Sequence, residues 1–297
     1  MRDMLGAHVS IAGGLHRAFA RGRRNDCSVI QIFTSSNMSW HTKEPTDEDV
    51  RRFRNAREQS IIQQVVAHDS YLVNLSSANA ETAQRSLETL AAELTRCQRL
   101  GLEILVMHPG AHTGAGLEPG LRAVTHGIDE AIERTGTHSV RILLETTAGS
   151  GTVLGYRFEQ LARIIETSRQ GGQLGVCLDT AHVFAAGYDL RTQESFDRVM
   201  EEFDRVIGLG RLGCFHLNDS KAGFAARVDR HEHIGKGELG LEPFRHILND
   251  PRFAGVPKVI ETPRGTWRRR SWDRINLATL RSLVEPGVEF QREGGEK

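Results

Sequence analysis

The chain has 297 residues, 39% hydrophobic and 26% charged, with 30 glycines and only 8 prolines; this excludes a disordered or collagen-like chain and suits one large compact domain. Lysine plus arginine and aspartate plus glutamate both total 38, so the field of the whole molecule does not attract a polyanion, and any positive site must be local or made by metal ions. No run approaches the ~18 apolar residues of a membrane helix, the start lacks a basic segment before an apolar core, and the four cysteines fall singly; a soluble, cytoplasmic protein with no membrane contact is expected.

Short runs rich in Val, Ile and Leu recur along the chain, each followed by a helix-length amphipathic segment. In order they cover 5–9, 29–34, 65–68, 104–108, 141–145, 174–179, 212–216 and 258–261. Between them, Leu87, Leu90, Ala91 and Leu94 share one helical face, as do Phe196, Val199, Met200, Phe203, Val206 and Ile207. Eight such units predict an α/β fold, a single-domain (β/α)8 TIM barrel, because an open doubly wound sheet would leave two edges exposed. Residues 1–285 read as the barrel and 286–297 as a polar C-terminal tail. No glycine-rich phosphate loop follows any strand, so no nucleotide cofactor is expected. The charged, glycine-containing stretch 218–240 reads as a functional loop after the seventh strand, and the chain is expected to be a monomer.

Six of the eight runs end in a metal-competent side chain: His68, His108, Glu145, Asp179, His216 and Glu261. In a barrel all strands open at their C-terminal ends onto one face, so these residues converge on one pocket despite lying about one strand–helix unit apart. His182, Asp229 and His231 sit just beyond strand ends, and alternation points Asp229 and His231 the same way if that segment is extended. Four carboxylates gathered there would repel or take up protons unless cations intervene. Imidazole with carboxylate favours Zn, with Mn or Fe possible in part, and nine ligands with a bridging carboxylate suit three ions. A lone histidine of this kind is usually structural, and Asp179 could simply cap the next helix. His8, His112 and His233 receive no ligand role, and His16, His41, His126, His138 and His246 read as surface residues.

These residues lie in longer motifs: 6–15 (GAHVSIAGGL), 108–110 (HPG), 145–149 (ETTAG), 178–189 (LDTAHVFAAGYD), 215–221 (FHLNDSK), 229–235 (DRHEHIG) and 260–263 (IETP). Together they resemble endonuclease IV, the metal-dependent apurinic/apyrimidinic endonuclease family of base-excision repair. The resemblance implies a TIM barrel whose trinuclear zinc site is divided among three groups. His68, His108 and Glu145 would hold one ion; Glu145, Asp179, His216 and Glu261 a second; His182, Asp229 and His231 a third. It implies double-stranded DNA containing abasic sites as partner, and hydrolysis on the 5′ side of the abasic site, leaving a 3′-hydroxyl and a 5′-deoxyribose phosphate. Glu145 and Glu261 would be the catalytic carboxylates, Glu261 orienting or deprotonating the nucleophile.

Tyr71 and Leu72 match side chains that the family wedges into the minor groove. Where the family usually carries Asn-x-Arg-x-Trp, this chain reads Ser36-Asn37-Met38-Ser39-Trp40, leaving Met38 as an apolar wedge. His68-Asp69-Ser70-Tyr71 replaces the family's His-Ala-Pro-Tyr and is expected to add a charge beside the DNA-facing loop. Lys221, Lys236, Arg264 and the cluster Arg268-Arg269-Arg270 are placed in the top-face loops as candidates for phosphate contact, the alternative being that the arginines are a solvated run starting the last helix. The main alternative is a divalent-metal sugar isomerase or epimerase on the same barrel, using Glu145, Asp179, His216 and Glu261 alone; a non-catalytic DNA-binding descendant is the third reading.

Overall fold

The computed structural model describes residues 3–37, 39–40 and 43–286. Met38 and His41 therefore lie outside the described residues, as does the expected tail apart from Pro286. The barrel strands are β1 (Leu5–His8), β2 (Val29–Phe33), β3 (Gln64–His68), β4 (Ile104–Met107), β5 (Arg141–Glu145), β6 (Leu174–Asp179), β7 (Leu212–His216) and β8 (Lys258–Ile260). They pair in parallel and close in the order β1-β8-β7-β6-β5-β4-β3-β2. Each strand lies within or beside its predicted run, because strands buried on both faces, as these are, read as short continuous apolar runs with defined ends.

Helices α1 (Arg17–Arg24), α2 (Asp47–Glu58), α3 (Ala80–Leu100), α4 (Leu117–Thr135), α5 (Phe158–Thr167), α6 (Thr180–Ala186), α7 (Gln193–Val206), α8 (Glu242–Asn249) and α9 (Trp272–Ser282) surround the sheet. Local chemistry sets several of their ends. Thr46 and Thr192 form reciprocal capping boxes at α2 and α7, Asn79 accepts from the Thr82 amide at α3, and left-handed Gly101 and Gly136 end α3 and α4. On α7, Phe196, Val199, Met200 and Phe203 are buried as the spacing requires. Arg268 and Arg269 lie in a loop that precedes α9 and do not start that helix. They form the tip of a hairpin between Thr266–Trp267 and Arg270–Ser271, with φ of 48° and 65°, the left-handed pair that a two-residue hairpin turn demands. His246 is also not a surface residue; it is half-buried against Phe196, with ring centroids 5.4 Å apart.

Inside the barrel, Val29, Val66, Val106, Leu143, Cys177, Cys214 and Val259 form one apolar cluster. Strand alternation places the residue two positions later in the next layer up, at the C-terminal mouth. The loop after β2 is fixed from beneath by α3. The fully buried Arg96 donates to Thr34 Oγ1 at 2.9 Å, to Glu93 Oε1 at 2.6 Å and to Glu44. Arg99 holds Pro45 O at 2.8 Å and Asp47 at 2.7 Å.

Asp69 belongs to this buried layer, which corrects its reading as an added surface charge: it is 2% exposed and its Oδ2 has no hydrogen-bond partner. Burial first, then the nearby Glu93 carboxylate, push its carboxyl up to about 8. An unfolded aspartate releases its proton near 3.9, so between about pH 4 and 8 the native state binds more protons than the unfolded state and stability falls as pH rises. Asp69→Asn removes that titration. In urea unfolding of chelator-treated protein, its stability relative to wild type should grow by more than about 1 kcal/mol from about pH 5 to 8; a difference independent of pH would contradict the assignment.

Candidate metal centre

All eight strands send one residue to the mouth: His8, Gln31, His68, His108, Glu145, Asp179, His216 and Glu261, each two positions after an interior residue. The sequence reading identified six of them. It missed His8 and Gln31 because it ended the first two runs at Val9 and Thr34, whose side chains are not those of the inner ring. Counting two residues on from Gly6 and Val29 would have found both. His8 Nδ1 lies 3.1 Å from Glu261 Oε1, and Gln31 Nε2 lies 2.7 Å from the same oxygen.

Glu145 is fully buried at the centre of the ring. Its Oε2 lies 3.0 Å from His68 Nε2 and 3.2 Å from His108 Nε2, and its Oε1 lies 3.1 Å from His216 Nδ1 and 3.3 Å from His182 Nδ1. His216 Nδ1 also faces Glu261 Oε2 at 3.2 Å and Asp179 Oδ2 at 3.9 Å. Donor atoms of His68, His108 and Glu145 thus form one compact group, and those of Glu145, Asp179, His216 and Glu261 a second. In the third region, Asp229 Oδ1 stands 3.2 Å from His182 Nε2 and 3.4 Å from His231 Nε2, and the two imidazole nitrogens are 3.4 Å apart. Asp179 closes on this region too, its Oδ2 3.6 Å from His231 Nε2. All nine expected residues therefore meet at one mouth.

Asp179 also caps its helix, and its two oxygens divide the work. Oδ1 accepts from the His182 amide at 2.9 Å, while Oδ2 accepts from Asn218 Nδ2 at 2.7 Å and faces the imidazoles. Asn218 uses its Oδ1 to accept from the Glu261 amide at 2.7 Å, so one buried amide ties together the ends of β6, β7 and β8. His231 and Asp229 are brought in by the loop after β7, where Asp219–Ser220 pairs with His231–Glu232 in a short antiparallel ladder.

The donor set fits divalent cations. Burial by itself would strip the protons from His68, His182 and His216, but Glu145, Asp179 and Glu261 outweigh it and hold these imidazoles above their usual range. Burial would likewise neutralise the carboxyls, yet His216 and its neighbours keep Glu145 and Glu261 well below the carboxylate range, and His182 and His231 bring Asp229 to about 2. The anionic oxygens that hold those protons are the ones that would neutralise a metal. The remaining ring nitrogens are engaged as ligand histidines require: His68 Nδ1 donates to Asp69 O at 2.8 Å, His182 Nδ1 to Thr146 O at 2.8 Å and His231 Nδ1 to Glu261 O at 3.3 Å. Each of these three therefore turns Nε2 towards the cluster.

The candidate contact residues lie around this mouth. Tyr71 is 57% exposed, which argues against plain barrel packing, and its ring stands 5.8 Å from that of His68 and 6.1 Å from that of His108. Leu72 beside it is half-buried. Arg264 is exposed and lines, with His8, Phe33, Asn37, Tyr71 and Glu261, a cavity of about 290 Å³. Lys221 adjoins the ladder that carries His231, and Lys236 places its ammonium 5.7 Å from the Trp272 ring centroid; both are exposed. Among the described residues, no helix is long and apolar enough to cross a membrane.

Residues 19–283 match the family described as a xylose isomerase-like TIM barrel, a description of fold that covers more than one reaction. The chain is 52% identical over 292 residues to a “Probable endonuclease 4” of Geobacter sulfurreducens, covering 98% of both chains. It is 50% identical over 285 residues to the protein of that name from Geotalea daltonii, covering 96% of this chain and 99% of the other. Among solved structures it is similar to endonuclease IV from Thermus thermophilus, with a TM-score of 0.83 at 36% identity, covering 94% of this chain and 98% of that one. About half identical to the Geobacter and Geotalea proteins from end to end, and folded like the Thermus enzyme, the chain belongs to the endonuclease IV family and is a nuclease of the hydrolase class.

Proposed function

We propose that this nuclease hydrolyses the phosphodiester 5′ to an abasic site in double-stranded DNA, with three zinc ions held at the barrel mouth. The observation that carries this reading is the sharing of Glu145 between two adjoining donor groups, with a third group of Asp179, His182 and His231 alongside, which Asp229 meets at 3.2 Å from His182 and 3.4 Å from His231. His68, His108 and Glu145 would hold one ion, Glu145, Asp179, His216 and Glu261 a second, and His182, Asp229 and His231 a third. A sugar-epimerising site with a single ion would need the second group only and leaves five of the nine residues without a task. When bound, zinc supplies Lewis acidity, lowering the pKa of water and neutralising charge on phosphoryl oxygens.

The chain's own residues do the rest. In the reaction a water oxygen bonds to phosphorus, the bond from phosphorus to the upstream O3′ breaks, and a proton ends on that oxygen. The Glu261 carboxylate, held ionised beside His8 and His216, is placed to orient the attacking water and accept its proton. Arg264, which lines the same cavity as Tyr71, supplies a fixed positive charge for a phosphate. Tyr71 and Leu72 occupy the rim where an extruded sugar would pass, and an abasic nucleotide is extruded at lower cost because no base must be unstacked. Lys221 and Lys236 extend the positive surface along the duplex, and Met38 is assigned the apolar wedge.

Purified protein should carry close to three zinc ions per chain by elemental analysis. It should also keep incising an abasic-site duplex for minutes after EDTA is added, since ions held by nine protein groups leave slowly; immediate loss reversed by Mg²⁺ alone would contradict the reading. Glu145→Ala and Glu261→Ala should each lower the incision rate by about 10²–10⁴-fold while leaving the circular dichroism spectrum unchanged, and wild-type rates in either would refute the roles given. If Lys221, Lys236 and Arg264 each meet one phosphate, duplex affinity should fall about 40-fold between roughly 50 and 200 mM salt. A flat titration would remove them from the DNA surface.

A further inference from the structure

The position that β2 contributes to the ring is an amide, and its surroundings fix its orientation. Gln31 is fully buried. One end of its amide is 2.7 Å from Glu261 Oε1 and the other 2.8 Å from His216 Nε2. An ionised carboxylate only accepts hydrogen bonds, so the end that faces Glu261 is the NH₂ group. The carbonyl oxygen must then face His216, and because it too only accepts, the proton of the neutral His216 ring lies on Nε2. Nδ1 is left as the basic nitrogen, and it faces Glu145 Oε1 at 3.1 Å and Glu261 Oε2 at 3.2 Å. His68, His182 and His231 have their tautomers set by backbone carbonyls. His216 depends instead on a side chain.

We propose that Gln31 is a positioning residue for the second metal group: its amide, anchored on the Glu261 carboxylate, turns its carbonyl oxygen to His216 Nε2 and so selects Nδ1 as the nitrogen that His216 presents to a cation. The inference rests on the trinuclear reading for its metal but not for its geometry. Gln31 also restrains the candidate base directly. Its NH₂ group and His8 Nδ1 converge on the same oxygen of Glu261, at 2.7 and 3.1 Å, which leaves Oε2 turned towards His216. Replacing the amide therefore disturbs a carboxylate and an imidazole at once, from a strand that pairs with neither β7 nor β8.

Two measurements test this without DNA. In zinc-loaded wild-type protein labelled with ¹⁵N-histidine, long-range proton–nitrogen correlation should show His216 protonated on Nε2 with zinc on Nδ1; zinc on Nε2 would overturn the proposal whatever any variant does. Gln31→Met keeps the volume and removes the hydrogen bonds to Glu261 and His216, together with the contact of the amide nitrogen with His8 Nδ1 at 3.0 Å. Chelator competition should show one of the bound ions weakened about 10–100-fold, with an altered visible spectrum on cobalt substitution and an unchanged circular dichroism spectrum. Affinities within about twofold of wild type for every ion would refute the role of Gln31. Failure of the nuclease reading looks different: wild-type protein would then hold a single ion or fail to incise abasic duplexes, while the His216 signal would still report the tautomer at that ion.

Discussion

An ionised carboxylate out of reach of water persists only among positive partners, and Glu145 is the place where this chain meets that condition. Four imidazoles divide between its two oxygens. His68 and His108 arrive on neighbouring strands from one side; His216 and His182 come from the other. The groups that could hold cations are thus defined by which oxygen of one residue they approach. The apolar layer directly beneath, from Val29 round to Val259, gives the ring a packed floor, and a floor that cannot deform keeps the donor atoms at these spacings.

Above that floor the strand ends are bound to one another by buried amides. Asn218 links Asp179 with the Glu261 backbone, and Gln31 links Glu261 with His216. Charged groups in the ring are therefore oriented by neutral ones, which add direction without adding charge. The loops that rise from this frame are exposed where they carry Tyr71, Lys221 and Arg264, yet at least one of them is fastened from below: Arg96 and Arg99 on α3 hold both ends of the segment after β2. A rigid mouth with separately anchored loops suits an enzyme that must seat a large partner over a fixed reactive centre.

Of the two departures from the family pattern, the described residues include one, Asp69. Asp69 turns inward, carries its proton to about pH 8 and adds no charge at the rim. Its contribution is to the packing of the layer shared with Glu93 and Arg96. Met38 lies outside the described residues, and the wedge role is proposed for it from its sequence position.

Short continuous apolar runs and helix-length amphipathic segments were enough to read the strands and the helices from the sequence, and the strand-end chemistry of His68, His108, Glu145, Asp179, His216 and Glu261 was legible because closure of a parallel sheet brings all such ends to one face. Local pattern could not reveal the partners within that face. His8 and Glu261 touch across 253 residues of chain, and nothing in the residues around either one records the other. Gln31, an ordinary polar residue in its own run, gains its place only when barrel closure brings β2 and β7 to the same mouth, with β1 and β8 between them. The turn at Arg268 and Arg269, the inward course of Asp69 and the division of labour between the oxygens of Asp179 were likewise settled by packing. Periodicity is a property of neighbours in sequence, whereas charge, tautomer and orientation at this site are set by neighbours in space, which only the folded chain specifies.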